Sequence, residues 1–286
     1  KGHRVTAMRQ AALRWLSPAG FSTLRWWEWG PEGGAPVLCV HGLTRSGRDF
    51  DVLAEALAAE GRRVLCPDLP GRGASDWLPD PMLYVPPTYV VALGHLLARL
   101  DGPVDWVGTS LGGICGMLVA ATPGQPIRRL VLNDMGSRVS RASLARIRSY
   151  LGAGEAFADL AAIERHLRTI HAPFGPLTDA QWRHLAETSA RRLPDGRLVL
   201  HYDPAIAVPM HATEPEDLDL APIWARVAVP TLVIRGAESD LLPRETAAQM
   251  AQREGVELVE IAGCGHAPAL MDPAQVGIVR DYLARP

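Results

Sequence analysis

Residues 104–121 read VDWVGTSLGGICGMLVAA, and this stretch indicates the type of fold. The apolar run at 104–107 is typical of a buried strand, and the run at 111–121 is typical of a helix that ends before Pro123. Between them, residues 108–112 match the pattern G-x-S-x-G. A strand that reverses into a helix within so few residues needs glycines around the central serine and leaves the serine oxygen exposed.

Ser110 is the central residue of this turn, and we predict that it is a nucleophile. Free backbone N–H groups at the start of the following helix favour the negative charge that develops when a serine attacks a carbonyl group. The pattern alone also occurs by chance in a chain with 27 glycines. The prediction therefore depends on the strand and the helix that flank the turn.

Strands and helices alternate on both sides of this stretch. Further apolar runs typical of strands lie at residues 24–29, 36–40, 63–66, 129–132, 231–234 and 256–261. Segments with helical spacing lie at residues 48–60, 87–100, 244–253 and 273–284. This alternation predicts an α/β fold in which a mainly parallel sheet is covered by helices on both faces.

The alternation stops between residues 137 and 220. This segment has helical patterns at 141–151, 157–171 and 179–190, and we find no pattern typical of a buried strand in it. We therefore predict a core domain made of residues 1–136 and 221–286. A helical cap, residues 137–220, is inserted between two strands of the core sheet.

A serine nucleophile needs a base that accepts its proton. His266 lies in a glycine-rich loop after the last predicted strand. Loops that follow parallel strands meet at one edge of the sheet, where Ser110 also lies. We therefore predict that His266 is the base.

Three carboxylates compete for the role of the acid that orients the base. Asp240 follows the strand at 231–234, and the order serine, aspartate, histidine along the chain is typical of enzymes with this serine turn. Glu238 lies on the same loop, and Asp134 directly follows the strand at 129–132. We favour Asp240 and keep Glu238 and Asp134 as alternatives. If Asp134 is not the acid, we expect it to accept backbone hydrogen bonds at the entrance to the cap.

The negative oxygen of a tetrahedral intermediate needs two fixed donors. One is expected to be the backbone N–H of Leu111, which follows the nucleophile. The other is expected from the loop after the strand at 36–40, where Gly42 allows a close approach and the N–H of Leu43 is our choice. His41 in the same loop is expected to hold the loop in place by a hydrogen bond.

Composition excludes several classes of partner and cofactor. The chain has 29 basic and 31 acidic residues among 286, and no run of Lys or Arg exceeds two, so we expect no binding to nucleic acid or to a membrane surface. No stretch approaches the ~18 apolar residues that span a bilayer. The first ten residues lack an apolar signal core, and the four cysteines lack zinc spacing. We expect a cytoplasmic protein with reduced cysteines and neither metal nor organic cofactor; the oligomeric state stays open.

These segments together resemble the α/β-hydrolase fold superfamily, and in particular its bacterial esterase-like members. The resemblance rests on His41-Gly42-Leu43 and on residues 68–75 (DLPGRGAS), 108–113 (GTSLGG), 132–136 (LNDMG), 200–205 (LHYDPA), 234–240 (IRGAESD) and 263–266 (GCGH). It implies an eight-stranded sheet with a helical cap inserted after the sixth strand. It also implies an active Ser-His-Asp enzyme.

The cap is expected to roof the nucleophile and to determine the substrate. Candidate substrate contacts are His41, Phe174, Trp182 and Met210. The cap also carries apolar residues at helical spacing that suit either a pocket or its own packing, namely Leu151, Phe157, Leu167, Ile170 and Leu185. An apolar roof favours a neutral carboxylic ester with a small to medium acyl chain.

Several alternatives to ester hydrolysis remain open. An anionic substrate needs a fixed arginine, for which Arg45 is a candidate, although we favour a solvated surface position for it. Hydrolysis of lactones or of carbon–carbon bonds in diketones uses the same three side chains. A receptor that keeps the pocket without turnover is the alternative outside catalysis.

Overall fold

The computed structural model describes residues 7–286, and an eight-stranded sheet forms its centre. We number its strands in chain order: β1 Arg9–Ser17, β2 Gly20–Trp29, β3 Pro36–Val40, β4 Arg63–Asp68, β5 Val104–Thr109, β6 Ile127–Asn133, β7 Thr231–Gly236 and β8 Val256–Ile261. Their spatial order is β1-β2-β4-β3-β5-β6-β7-β8. The pairs β1–β2 and β2–β4 are antiparallel and every other neighbouring pair is parallel, so the prediction of a mainly parallel eight-stranded sheet is confirmed.

Helices cover both faces of this sheet. The helices that flank the sheet are α1 Asp51–Ala59, α2 Pro86–Leu97 and α3 Leu111–Ala120, followed after β7 by two more, which we number α7 Arg244–Met250 and α8 Pro273–Leu283. Buried residues of α2, α3 and α7 belong to one apolar cluster, and those of α1 and α8 belong to another. Strand β3 contributes Leu38 and Val40 to the first cluster and Val37 and Cys39 to the second. This alternation follows from the two-residue period of a strand and explains why the central strands are apolar throughout.

The antiparallel edge of the sheet was only half predicted. The sequence pattern indicated β2 but not β1, whose side chains alternate between exposed and buried along most of its length. Strand β1 lies at the sheet's edge and pairs only with β2, and every second side chain along it is exposed, so that face carries no continuous apolar run.

The chain between β6 and β7 contains three longer helices, α4 Arg141–Tyr150, α5 Leu160–Ile170 and α6 Asp179–Ser189. Shorter helices are Ala172–Phe174, Pro204–Ala207, Val208–His211 and Ala221–Trp224, and in the core Gly47–Phe50 and Pro81–Leu83. Division of the chain into a core and a cap at residues 137 and 220 stays a prediction.

Short strands are also present in this inserted segment, contrary to the purely helical expectation. Ala156–Phe157, Leu198–Leu200 and Ala190–Arg192 form a three-stranded antiparallel sheet, and Arg138–Val139 pairs with Leu218–Asp219. Each has two or three residues, too few to show a two-residue period in the sequence.

Of the helices among residues 7–286, none has the length and apolar character needed to cross a membrane.

The turn between β5 and α3 is crowded by backbone. A Cβ atom at Gly112 would lie 1.9 Å from the carbonyl oxygen of Val40, and one at Gly108 would lie 2.3 Å from the carbonyl oxygen of Gly112. Ser110 itself has φ 53°, in the left-handed region that residues with a side chain rarely adopt. The two glycines therefore permit the strained turn that holds Ser110.

We predict that Gly112→Ala lowers the free energy of unfolding by about 3 kcal/mol, because the added methyl group overlaps the backbone of β3. The matched change Gly94→Ala, in α2, adds a methyl group with no atom within 4 Å and is expected to stabilise by about 0.5–1 kcal/mol. Urea unfolding of both variants measures the two effects. Equal stabilities would contradict the crowding at the turn.

Candidate active site

Ser110 and His266 are in hydrogen-bond contact, although 156 positions separate them in the chain. The Nε2 atom of His266 lies 2.9 Å from the hydroxyl oxygen of Ser110. Ser110 stands at the end of β5, directly before α3, and His266 lies on the loop after β8. The structure thus brings together the predicted nucleophile and the predicted base.

Asp134 is the carboxylate that contacts His266. Its Oδ2 atom lies 2.6 Å from Nδ1 of His266, and its side chain is fully buried. The same oxygen accepts a hydrogen bond of 2.5 Å from the hydroxyl of Ser239, and Oδ1 accepts one of 2.9 Å from the backbone N–H of Gly236. Three donors therefore hold this carboxylate in one orientation, which in turn fixes the imidazole ring.

Asp240 does not contact His266, and the expectation that it does is corrected. Its carboxylate is 55% exposed and forms a salt bridge of 2.8 Å with Nε of Arg146 in α4. Glu238 on the same loop is exposed as well. The reason lies in the loop geometry: β7 ends at Gly236, and the loop turns Ser239 inward while Asp240 faces the solvent.

The end of β6 positions Asp134 beside the nucleophile. Asp134 has φ 54°, and its N–H donates to the carbonyl oxygen of Ile234 at a distance of 2.7 Å. The preceding Asn133 donates from its amide group to Oγ1 of Thr109 and to the carbonyl oxygen of Pro268. One side chain thereby joins the strand that carries the serine to the loop that carries the histidine.

The loop after β3 is fixed by two buried side chains. His41 accepts a hydrogen bond at Nε2 from the N–H of Leu69, and its Nδ1 lies 2.7 Å from the carbonyl oxygen of Gly42. Arg72 is fully buried and donates from Nε to the carbonyl oxygen of Leu43. Sequence reasoning missed Arg72, although it lies inside the stretch DLPGRGAS that carried the resemblance. The roles of Leu43 and Leu111 as donors to an oxyanion stay predictions.

Ser110 borders two cavities. The small cavity has a volume of about 90 Å³, and its lining includes Leu43, Arg45, Ser110, Arg146, Phe174 and His266. The large cavity has a volume of about 680 Å³, and its lining includes Leu43, Ser110, Leu111, Ile114, Met210 and Leu241. A substrate that bridges the two cavities passes the serine oxygen.

The four proposed substrate contacts have different surroundings. Phe174 and His41 line the small cavity, and Met210 lines the large one. Both ring nitrogens of His41 face backbone partners, however, which leaves no nitrogen for a substrate. Trp182 packs instead in a buried apolar cluster with Ile163, Leu167 and Leu185 of α5 and α6. Its spacing on α6 reflects this packing rather than a pocket.

Arg45 is buried, and the expectation of a solvated surface position was wrong. Its guanidinium makes two hydrogen bonds with the carboxylate of Asp49, at 2.8 and 2.7 Å. The sequence did not indicate this partner because an arginine and an aspartate four residues apart are common on exposed helices too. The pair adds no net charge to the small cavity.

Burial lowers the pKa of three histidines, His41, His171 and His201, below the ordinary value of a histidine. It lowers the pKa of His41 to about 3 and the pKa of His201 to about 4. Both are therefore neutral in the folded protein at pH 5, whereas a histidine in the unfolded chain has a pKa near 6.5 and takes up a proton there. The stability that these groups contribute is present above pH 6.5 and is lost as the pH falls towards 4.

We predict that lowering the pH from 7 to 5 costs about 2 kcal/mol of unfolding free energy for each of these two histidines. His201→Leu should remove one of the two contributions, because leucine takes up no proton on unfolding. Val91→Leu, at an exposed position of α2 without a titratable group, serves as the control and should keep the wild-type pH dependence. Urea unfolding at both pH values checks this; identical pH dependences for wild type and His201→Leu would contradict it.

The chain is similar to known proteins over most of its length. The model of a family described as "Alpha/beta hydrolase family" matches residues 37–277. A 3-hydroxybutyrate-oligomer hydrolase of Cupriavidus necator is 43% identical, over 96% of this chain and 97% of that protein. Two solved structures each align over 97% of this chain and 99% of their own. One, an alpha/beta hydrolase from Novosphingobium aromaticivorans, is 39% identical with a TM-score of 0.86, and the other, a hydrolase from Rickettsia typhi, is 30% identical with a TM-score of 0.89.

Proposed function

The chain belongs to the alpha/beta hydrolase family, and on that basis we propose that it hydrolyses carboxylic esters through an acyl-enzyme on Ser110. The observation that carries the proposal is the continuous hydrogen-bonded chain from the Ser110 hydroxyl through His266 to the buried Asp134. This arrangement is the one that makes a serine hydroxyl a nucleophile at neutral pH. We assign the orienting acid to Asp134 in place of Asp240.

The reaction proceeds in two halves. The Ser110 oxygen attacks the ester carbonyl carbon while its proton passes to Nε2 of His266. The carbon–oxygen bond to the alcohol then breaks, and His266 returns the proton to the departing alcohol oxygen. A water molecule, deprotonated by His266, next attacks the acyl carbon, and the proton passes back to Ser110 as the acid is released.

Asp134 and two backbone groups stabilise the charges that develop. Asp134 accepts the hydrogen bond from Nδ1 of His266 and stabilises the imidazolium while the proton is held. The N–H groups of Leu43 and Leu111 are proposed to donate to the negative oxygen of the tetrahedral intermediate. Leu111 is the first residue of α3, so its N–H lies at the positive end of the helix.

The substrate class follows from the cavities and from the relative in Cupriavidus necator. That protein is named for its hydrolysis of 3-hydroxybutyrate oligomers and aligns with nearly the whole of this chain. The large cavity, at about 680 Å³, falls in the range of sites for molecules of drug size, and its lining is mostly apolar. We propose short oligoesters of small hydroxy acids as the substrates.

We predict that Ser110→Ala lowers the turnover of 4-nitrophenyl butyrate by at least about 10⁴-fold, because it removes the attacking oxygen. A fluorophosphonate probe should label the wild type and not the variant. The melting temperature should stay close to that of the wild type, which separates loss of chemistry from loss of fold. Turnover of diketones without turnover of any ester or lactone would overturn the proposal.

We predict that Asp134→Asn lowers turnover by about 10⁴-fold, because an amide cannot hold the imidazole in the required tautomer. Glu238→Gln, an exposed change on the loop after β7, is the control and should leave turnover unchanged. Steady-state kinetics with 4-nitrophenyl butyrate measure both. A severe loss in Asp240→Asn together with a mild effect of Asp134→Asn would return the acid role to Asp240.

A further inference from the structure

The two cavities at Ser110 receive different halves of an ester. The proton that releases the alcohol comes from His266, which lines the small cavity and is not among the residues that line the large one. The alcohol half must therefore lie in the small cavity, within reach of Nε2. The acyl half then extends into the large cavity, next to Leu111 and Ile114.

In an oligoester of hydroxy acids, the alcohol half of the last ester bond carries the free carboxylate. Cleavage of that bond places the negative charge in the small cavity, together with one hydroxy-acid unit. At about 90 Å³ the small cavity is much smaller than the large one at about 680 Å³, so the shorter half of the ester belongs in the small cavity. The rest of the oligomer lies in the large cavity.

Arg146 is the cation of the small cavity that a substrate carboxylate can reach. Arg45 is buried, and Asp49 holds two of its nitrogens. The Arg146 side chain is 44% exposed, and its partner, the 55% exposed carboxylate of Asp240, engages Nε and Nη2. Exposed pairs of this kind contribute little to stability, so a second carboxylate can take the place of Asp240 at low cost.

The large cavity is electrostatically unsuited to the carboxylate end. Three exposed acidic residues, Glu214, Glu216 and Asp217, contribute to its lining. Arg148, which also lines this cavity, pairs with Glu214, and Arg138 pairs with Asp217. The three acidic groups therefore outnumber the two arginines, and the surroundings keep a net negative charge. These acidic groups disfavour a carboxylate in the large cavity. The neutral hydroxyl end of the oligoester is compatible with them.

From this arrangement we propose that Arg146 binds the free carboxylate of the substrate, so that the enzyme removes single units from the carboxyl end of an oligoester. The proposal rests on the function proposed above. Ser110 attacks the last ester bond, and the departing alcohol oxygen belongs to the unit whose carboxylate contacts Arg146. Tyr150, one turn further along α4, also lines the small cavity and carries a hydroxyl group that can donate to the same carboxylate.

Two substrates that differ only in charge test the role of Arg146. One is the linear dimer of 3-hydroxybutyrate, and the other is its primary carboxamide, which has the same single ester bond and no charge. Arg146→Gln should lower the ratio of kcat/KM for the dimer to kcat/KM for the amide by at least about tenfold, as expected for the loss of a charge-assisted hydrogen bond. Asp240→Asn should raise the same ratio, because it removes the competing carboxylate.

Arg168→Gln provides the matched control. Arg168 is also an ion-paired arginine of the cap, with Glu164 and Asp179 as partners, and it lies outside the lining of both cavities. Its variant should keep the wild-type ratio. If Arg146→Gln keeps the wild-type ratio, whether kcat/KM is unchanged or falls equally for both substrates, the proposal is overturned.

The direction of cleavage has its own test. A linear trimer of 3-hydroxybutyrate, isotopically labelled in the unit that bears the free carboxylate, should yield labelled monomer and unlabelled dimer as the first products. Unlabelled monomer as the first product would overturn cleavage from the carboxyl end while leaving ester hydrolysis intact. If the wild type hydrolyses none of the dimer, its amide and simple esters, the proposed function is overturned. This inference then fails with it.

Discussion

The hydrogen bond between the Ser110 hydroxyl and His266 depends on a backbone turn that crowding holds in place. Ser110 has φ 53°, a conformation that costs of order 1–3 kcal/mol for a residue with a side chain. It persists because Gly112 packs against the carbonyl oxygen of Val40, and because the flanking strand and helix are buried. The same turn puts the N–H of Leu111 at the start of α3, so nucleophile and proposed oxyanion donor share one constraint.

The rest of the site follows from the order of the strands. Strands β5, β6 and β7 are parallel neighbours, so their carboxyl ends meet at one edge of the sheet. Asn133, at the end of β6, bonds both to Thr109 and to the loop of His266 through the carbonyl of Pro268. A buried carboxylate at the next position, Asp134, is tolerated because three donors surround it.

The sequence predicted the features that local residue patterns determine. It missed the features that depend on contacts between residues far apart in the chain. The turn around Ser110 and the loop of His266 follow from glycine spacing and apolar runs, and both were placed correctly at the strand ends. The order of residues along the chain favoured Asp240, but it carries no information about which strand end faces the histidine. That choice depends on the way the loop after β7 turns Ser239 inward. The burial of Arg45 likewise depends on the tertiary surroundings of its pair with Asp49.

The loop after β7 contacts both the proton relay and α4. Ser239 faces inward and donates to Asp134, whereas its neighbour Asp240 faces outward and pairs with Arg146 of the cap. The cap helix α4 is also joined to this loop through the hydroxyl of Ser143, which donates to the backbone carbonyl of Asp240. The loop therefore contacts α4 through its backbone and through the Asp240 carboxylate. One loop thus carries, at adjacent positions, the donor that holds the buried acid and the carboxylate of an exposed ion pair.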